Sequence, residues 1–136
     1  MNKSLIFFAI FCIFSCSSST DPEEDMIDMK YFSGSWLNSY EEEDTNTNFI
    51  YRPENYKSFP SSWFRMKYVF NEDNSCQWLV LAGNDAHYLK SGTWTQSRYN
   101  NNSIIIHDSA GVLQENKSFV IVRLEENLLE FKRISD

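Results

Sequence analysis

From Tyr31 onward the apolar positions recur every second residue. Phe64, Met66, Tyr68 and Phe70 alternate with Arg65, Lys67 and Val69. A strand with one buried face reads this way, because successive side chains leave the backbone on opposite sides. Asn71-Glu72-Asp73-Asn74-Ser75 then breaks the pattern with turn-forming residues, and a second apolar run starts at Cys76. Two such runs around a polar cluster predict a hairpin. The same grammar predicts strands near 32–41, 48–52, 64–70, 76–82, 88–96, 103–107, 117–124 and 127–133, the last pair joined tightly through Glu125-Glu126-Asn127. The linkers 41–47, 53–63, 83–87, 97–102 and 108–116 are rich in Asn, Asp, Ser and Pro. No twelve-residue stretch carries an amphipathic helical face. The predicted fold is therefore all-β, with about eight antiparallel strands in a meander. Such a meander hides its edges by closing into an up-and-down barrel, and a two-sheet sandwich is the alternative.

The start of the chain follows another pattern. Lys3 lies in a short positive segment, and Leu5 to Phe14 is an unbroken apolar run. A bilayer-crossing helix needs about 20 apolar residues, so this run suits a signal peptide instead. It ends at Ile13-Phe14-Ser15-Cys16, which resembles the lipobox of bacterial lipoproteins. The resemblance implies diacylglyceryl transfer to the Cys16 thiol, cleavage after Ser15 and acylation of the new amino terminus. An ordinary secretory signal is the alternative. Ser17 to Asp25 is Ser-rich, then acidic, and reads as a flexible tether. The expected organisation is a signal peptide over 1–15, a lipidated Cys16 and acidic tether over 16–30, and a barrel domain over 31–136. The expected location is the bacterial cell envelope. The lipid on Cys16 anchors the chain there, in the outer membrane at its periplasmic face or at the cell surface.

Composition narrows the partners. Formal net charge is −7, and cleavage after Ser15 removes one cation, Lys3, and no carboxylate, leaving −8. No dense Lys/Arg cluster is present, so nucleic acid is not an expected partner. Aromatic residues reach 16%, which suits an interior built from rings on pleated surfaces. Cys12 leaves with the signal and Cys16 takes lipid, so Cys76 stands alone and no disulfide framework is expected. In the apolar run Cys76-Gln77-Trp78-Leu79-Val80-Leu81 it reads as a small hydrophobe and not a nucleophile.

Two Gly-x-Trp triplets, Gly34-Ser35-Trp36 at the first strand and Gly92-Thr93-Trp94 in the middle, carry a family resemblance. With Tyr68-Val69-Phe70, the acidic turn after it and Ser103-Ile104-Ile105-Ile106, they resemble small bacterial lipocalin-like domains found behind lipoprotein signals. The resemblance covers roughly residues 29 to 134. It implies that Gly34 and Trp36 form the barrel base and that a cation from the far end of the chain, Arg133, packs over Trp36. Tyr31 stands where lipocalins usually carry a polar residue.

On alternation, Trp36, Tyr40, Phe64, Met66, Tyr68, Phe70 and Trp94 are the candidate barrel lining. They form either a packed core or a site for a small apolar or amphipathic ligand. The rival reading is a packed barrel whose acidic loop 41–47 and aromatic loop Tyr51 to Trp63 contact an envelope protein or polysaccharide. His87 and His107 lack metal-ligand spacing, Glu41-Glu42-Glu43-Asp44 does not follow a calcium-loop pattern, and no catalytic or phosphate-binding motif is present. Neither a metal, a cofactor nor an enzymatic activity is expected. Asp108-Ser109-Ala110 resembles a bacterial O-glycosylation tripeptide.

Overall fold

The computed structural model describes residues 27–43, 48–109 and 116–133, the Arg133 side chain excepted. The expected signal segment, Cys16, most of the expected tether, Asp44 and Ala110 lie outside the described residues. Eight strands are present: β1 (Gly34–Asn38), β2 (Phe49–Pro53), β3 (Lys67–Phe70), β4 (Ser75–Leu81), β5 (His87–Gln96), β6 (Ser103–Asp108), β7 (Lys117–Glu125) and β8 (Leu128–Arg133). They close into a barrel in the order β1-β2-β8-β7-β6-β5-β4-β3, every pair antiparallel. Eight separate period-two segments thus became eight strands of one all-β barrel, and the described residues add two short 3₁₀ turns, Met29–Tyr31 and Tyr40–Glu42.

The order departs from a purely sequential up-and-down meander at one place. β1 lies between β2 and β3, pairing Trp36 with Pro53 on one side and with Tyr68 on the other. Being antiparallel to the same strand, β2 and β3 run in the same direction, so no tight turn can join them. Residues 54–66 make the return as a strap outside β1. At its start the Glu54 N–H donates to the Ser35 carbonyl (3.0 Å). At its end the Arg65 guanidinium donates to the Asn38 carbonyl (2.7 Å). The predicted strand 64–70 therefore starts only at Lys67, because Phe64 to Met66 still belong to the strap.

This order also places Arg133. β8 is antiparallel to β2, as β1 is, so β1 and β8 run the same way. Trp36 pairs with Pro53, whereas Phe131 pairs with Phe49, four residues back along β2, and Arg133 lies two residues beyond Phe131. The backbone of Arg133 thus sits toward the end of the barrel away from the start of β1. The expected packing of Arg133 over Trp36 falls on a side chain outside the described residues, and the backbone register sets the two residues at different levels of the barrel. The reason is the exchanged order of β1 and β2, which no local pattern encodes.

The end where β1 starts is closed. Phe32 stacks on Phe70 (ring centroids 4.3 Å apart) and meets Trp94 edge-on (4.9 Å). Trp36 lies buried beside them, its indole N–H donating to the Phe32 carbonyl (2.9 Å). Gly34 takes a φ of +154°, a backbone conformation L side chains rarely adopt. Cys76, Ile104, Ile121 and Leu129 complete the core.

In β7 the period of two is broken by a bulge. The β7–β8 register slips between Ile121 and Arg123, so Val122 is an extra residue. This bulge lets Ile121 and Leu124 both pack on the core while Val122 and Arg123 stay outside.

Candidate functional site

At the opposite end, among the described residues, the barrel stays open. A cleft of about 190 Å³ enters there, lined by Asn38, Phe49, Tyr51, Met66, Tyr68, Lys117, Phe119 and Phe131. Its walls are core rings held against one another. Tyr51 stacks on Phe131 (4.9 Å), Phe131 meets Phe119 edge-on (4.6 Å), and Tyr68 lies 5.6 Å from both Tyr51 and Phe119. Offset and edge-on pairs of this kind each add about 0.5–1.5 kcal/mol beyond burial, so the walls are stiff without ligand. Desolvation, then the neighbouring Tyr68 and Glu43, push the Tyr51 hydroxyl well above its ordinary range. It stays a neutral donor at any physiological pH.

Beside these rings lies a charged group built on Trp78. Trp78 pairs with Lys90 across β4 and β5, and both face inward. Lys117 faces inward from β7, opposite the buried Ile106. The ammonium groups of Lys90 and Lys117 each lie 5.9 Å from the Trp78 ring, within cation–π range. The carboxylate of Asp108, only 4% exposed, forms an ion pair with Lys90. Asp108 is the last residue of β6, not a loop residue, so the Asp of the glycosylation-like tripeptide is committed to the barrel.

The acidic run beside the mouth is tied down. Arg52 donates twice to Glu42 (3.0 and 3.1 Å), which also accepts from Ser39 (2.6 Å) and Lys57 (3.0 Å). These bonds, those from Arg52 foremost, hold the Glu42 carboxyl down at about 2. Arg65 donates to Glu41 and lies over the rings of Tyr40 and Phe59. Glu43 accepts from the Asn38 amide (2.6 Å) and the Ile50 N–H (3.1 Å). Glu41 and Glu42 are thus the clasp that fastens the strap to the barrel.

The residues singled out from sequence divide accordingly. Met66 and Tyr68 line the cleft, whereas Trp36, Phe70 and Trp94 sit in the closed base. Phe64 is at the strap end, edge-on to His87 (5.6 Å). Tyr40 is not interior: it is 41% exposed in the second 3₁₀ turn, because β1 ends at Asn38 and the alternation stops with it. Tyr51, Phe119, Phe131, Lys117, Trp78, Lys90 and Asp108 were missed as lining. Strict alternation from Phe119 and Phe131 could have found the rings. The inward charges could not have been found that way, since period two reads Lys and Asp as solvent-facing.

Cys76 is buried, and desolvation pushes its thiol up to about 11, so it is not a nucleophile at neutral pH. His107 is engaged by Thr95 (3.0 Å) and Asn116 (3.2 Å). Among the described residues, no group of three or more His, Cys, Asp or Glu side chains could hold a metal ion. Two larger depressions, about 510 and 530 Å³, lie at the closed end and mix Tyr31, Trp36, Ile27 and Met29 with charged and amide groups. Of these three concavities among the described residues, the mouth cleft is the one walled chiefly by core rings. Comparison with protein-family models, curated proteins and solved structures finds no match for this chain.

Proposed function

We propose that the chain is a lipid-anchored lipoprotein of the bacterial envelope whose barrel mouth binds a small apolar or amphipathic molecule without chemistry. The observation that carries the binding role is the ring-lined cleft at the open end, built on Tyr51, Tyr68, Phe119 and Phe131. A stiff apolar concavity with a few polar groups is the usual form of a ligand site. The anchor rests on the lipobox-like Ile13-Phe14-Ser15-Cys16.

Two experiments test the parts separately. Cells expressing the full chain and fed alkyne-tagged palmitate should label the protein, and Cys16→Ala should abolish the label. Unlabelled wild-type protein would remove the anchor and leave the barrel untouched. For the cleft, displacement of a bound fluorescent dye by a panel of small amphiphiles should find a saturable competitor. That competitor should weaken on Phe119→Trp, which fills the cleft. A panel with no saturable member counts against the binding role.

One observation favours a second reading. Trp63 on the strap is 66% exposed, held edge-on to His87 (5.9 Å), and Tyr56 is exposed under Arg52. A protein or polysaccharide of the envelope could dock there. Crosslinking in intact envelopes distinguishes the readings: a single partner lost in Trp63→Ser with the dye site intact favours docking.

A further inference from the structure

We infer that the mouth cleft takes a small neutral carbonyl compound, one ring or a chain of about seven carbons, whose oxygen accepts a hydrogen bond from the Tyr51 hydroxyl. This deepens the proposed binding role and rests on it. Size comes first. A cleft of about 190 Å³ falls below the ~300–1,000 Å³ of sites that enclose drug-sized molecules. An engineered apolar cavity of ~150 Å³ takes benzene, so a six-carbon ring there scales to about seven or eight carbons here. A long acyl chain would leave most of its length outside.

The polar end of the ligand follows from what the lining leaves unpaired. Tyr51 is 4% exposed and lines the cleft. Among the described residues its hydroxyl has no hydrogen-bond partner. Nor is that hydroxyl sealed off: among the described residues, the one side-chain polar atom both sealed and unpaired is the Asn48 amide oxygen. The accessible edge of Tyr51 therefore includes its hydroxyl, and burial keeps that group protonated. The other polar groups of the lining are committed. The Asn38 amide nitrogen donates to Glu43 (2.6 Å) and to the Ile50 carbonyl (3.1 Å), and Tyr68 and Lys117 have partners of their own. A ligand without an oxygen would cover the Tyr51 hydroxyl and leave it dry, whereas a carbonyl oxygen replaces the water it gives up. A charged ligand would shed its hydration among five rings.

The test is calorimetric titration of the processed protein. Acetophenone should saturate one site, and benzoate should bind at least about tenfold more weakly. Tyr51→Phe keeps the ring and removes the hydroxyl. It should weaken acetophenone about fivefold and leave ethylbenzene, which lacks the oxygen, unchanged or tighter. On unaltered protein, the infrared carbonyl stretch of bound acetophenone should lie where a hydrogen-bonded ketone absorbs. Among methyl ketones from pentanone to undecanone, affinity should rise about fourfold per methylene as far as heptanone and then level off. The infrared and chain-length readings decide the matter even if Tyr51→Phe folds poorly. A carbonyl stretch at its hydrocarbon-solvent position, with no effect of Tyr51→Phe, overturns the Tyr51 assignment and leaves the cleft as a plain apolar site. Affinity still climbing at undecanone overturns the size limit, and benzoate binding more tightly than acetophenone overturns the neutral ligand. Failure of every probe overturns this inference alone if the dye panel finds a competitor, and the binding role with it if the panel finds none.

Discussion

The Trp78 ring lies directly against Gly92: a Cβ built on that glycine would fall 2.9 Å from Cζ3 of the indole and 2.1 Å from the backbone oxygen of His107. Trp78 in turn is the surface on which the ammonium groups of Lys90 and Lys117 converge. The second Gly-x-Trp triplet therefore acts through its glycine, which clears room for a different tryptophan, while its own Trp94 closes the base.

Gly92→Ala should be strongly destabilising. One obstacle is backbone of the neighbouring strand, which cannot swing away, so the cost should reach about 3 kcal/mol, the upper range for overpacked cores. Gly83 has nothing within 4 Å of its built Cβ, and Gly83→Ala should stay within about 0.5 kcal/mol of wild type. Urea unfolding of the pair checks both; equal midpoints for the two variants would contradict the close approach.

Acid should loosen the clasp. The Glu42 carboxyl sits at about 2 against an ordinary 4.5, chiefly through its bonds from Arg52, and Glu41 and Glu54 are lowered by Arg65 and Lys67. A carboxyl with a depressed folded-state pKa contributes stability above its unfolded value and loses it as pH falls toward the folded one. The urea midpoint should therefore hold steady down to about pH 4.5 and fall between there and pH 2. Glu42→Gln should lower the midpoint at pH 7 and flatten that acid limb. An unchanged limb in the variant would exclude Glu42 as its source.

Cys76 should be silent to thiol reagents. Buried, with its thiol pushed up to about 11, it exposes neither sulfur nor thiolate at pH 8. Peptide mapping after iodoacetamide treatment should show the Cys76 peptide unmodified in native protein and fully alkylated in urea. Rapid native labelling would place that sulfur at the surface.

Deleting Val122 should be tolerated and deleting Val120 should not. Val122 is the extra residue of the bulge, and its removal leaves Ile121 and Leu124 still facing inward in regular alternation. Removing Val120 makes Phe119 and Ile121 neighbours, so one of two core side chains must turn outward. The first deletion should cost less than about 2 kcal/mol, and the second should abolish the cooperative thermal transition. Comparable melting of both would argue against the slipped register.

Strand content was legible because each strand's evidence is local. Tyr68 and Phe70 on β3, Ile104 and Ile106 on β6, and Leu129 and Phe131 on β8 announce a buried face within a few residues. Even the brief Phe49-Ile50-Tyr51 run gave a true strand. Tyr40 was misplaced because alternation does not say where a strand stops, and a 3₁₀ turn follows Asn38. Lys90, Asp108 and Lys117 were unreadable as interior groups for the opposite reason: their inward direction follows from register with Trp78, Gly92 and Ile106, and their charge points the reader outward.

What the sequence determined by itself is the set of strands and the predominantly aromatic filling, because period-two burial is a property of the chain alone. The order in which strands meet around the barrel depends on pairings between residues far apart in the chain, which leave no periodic trace. Tertiary structure alone therefore set β1 between β2 and β3, turned β8 parallel to β1, carried Arg133 away from Trp36 and brought Lys117 beside Trp78 at an open mouth.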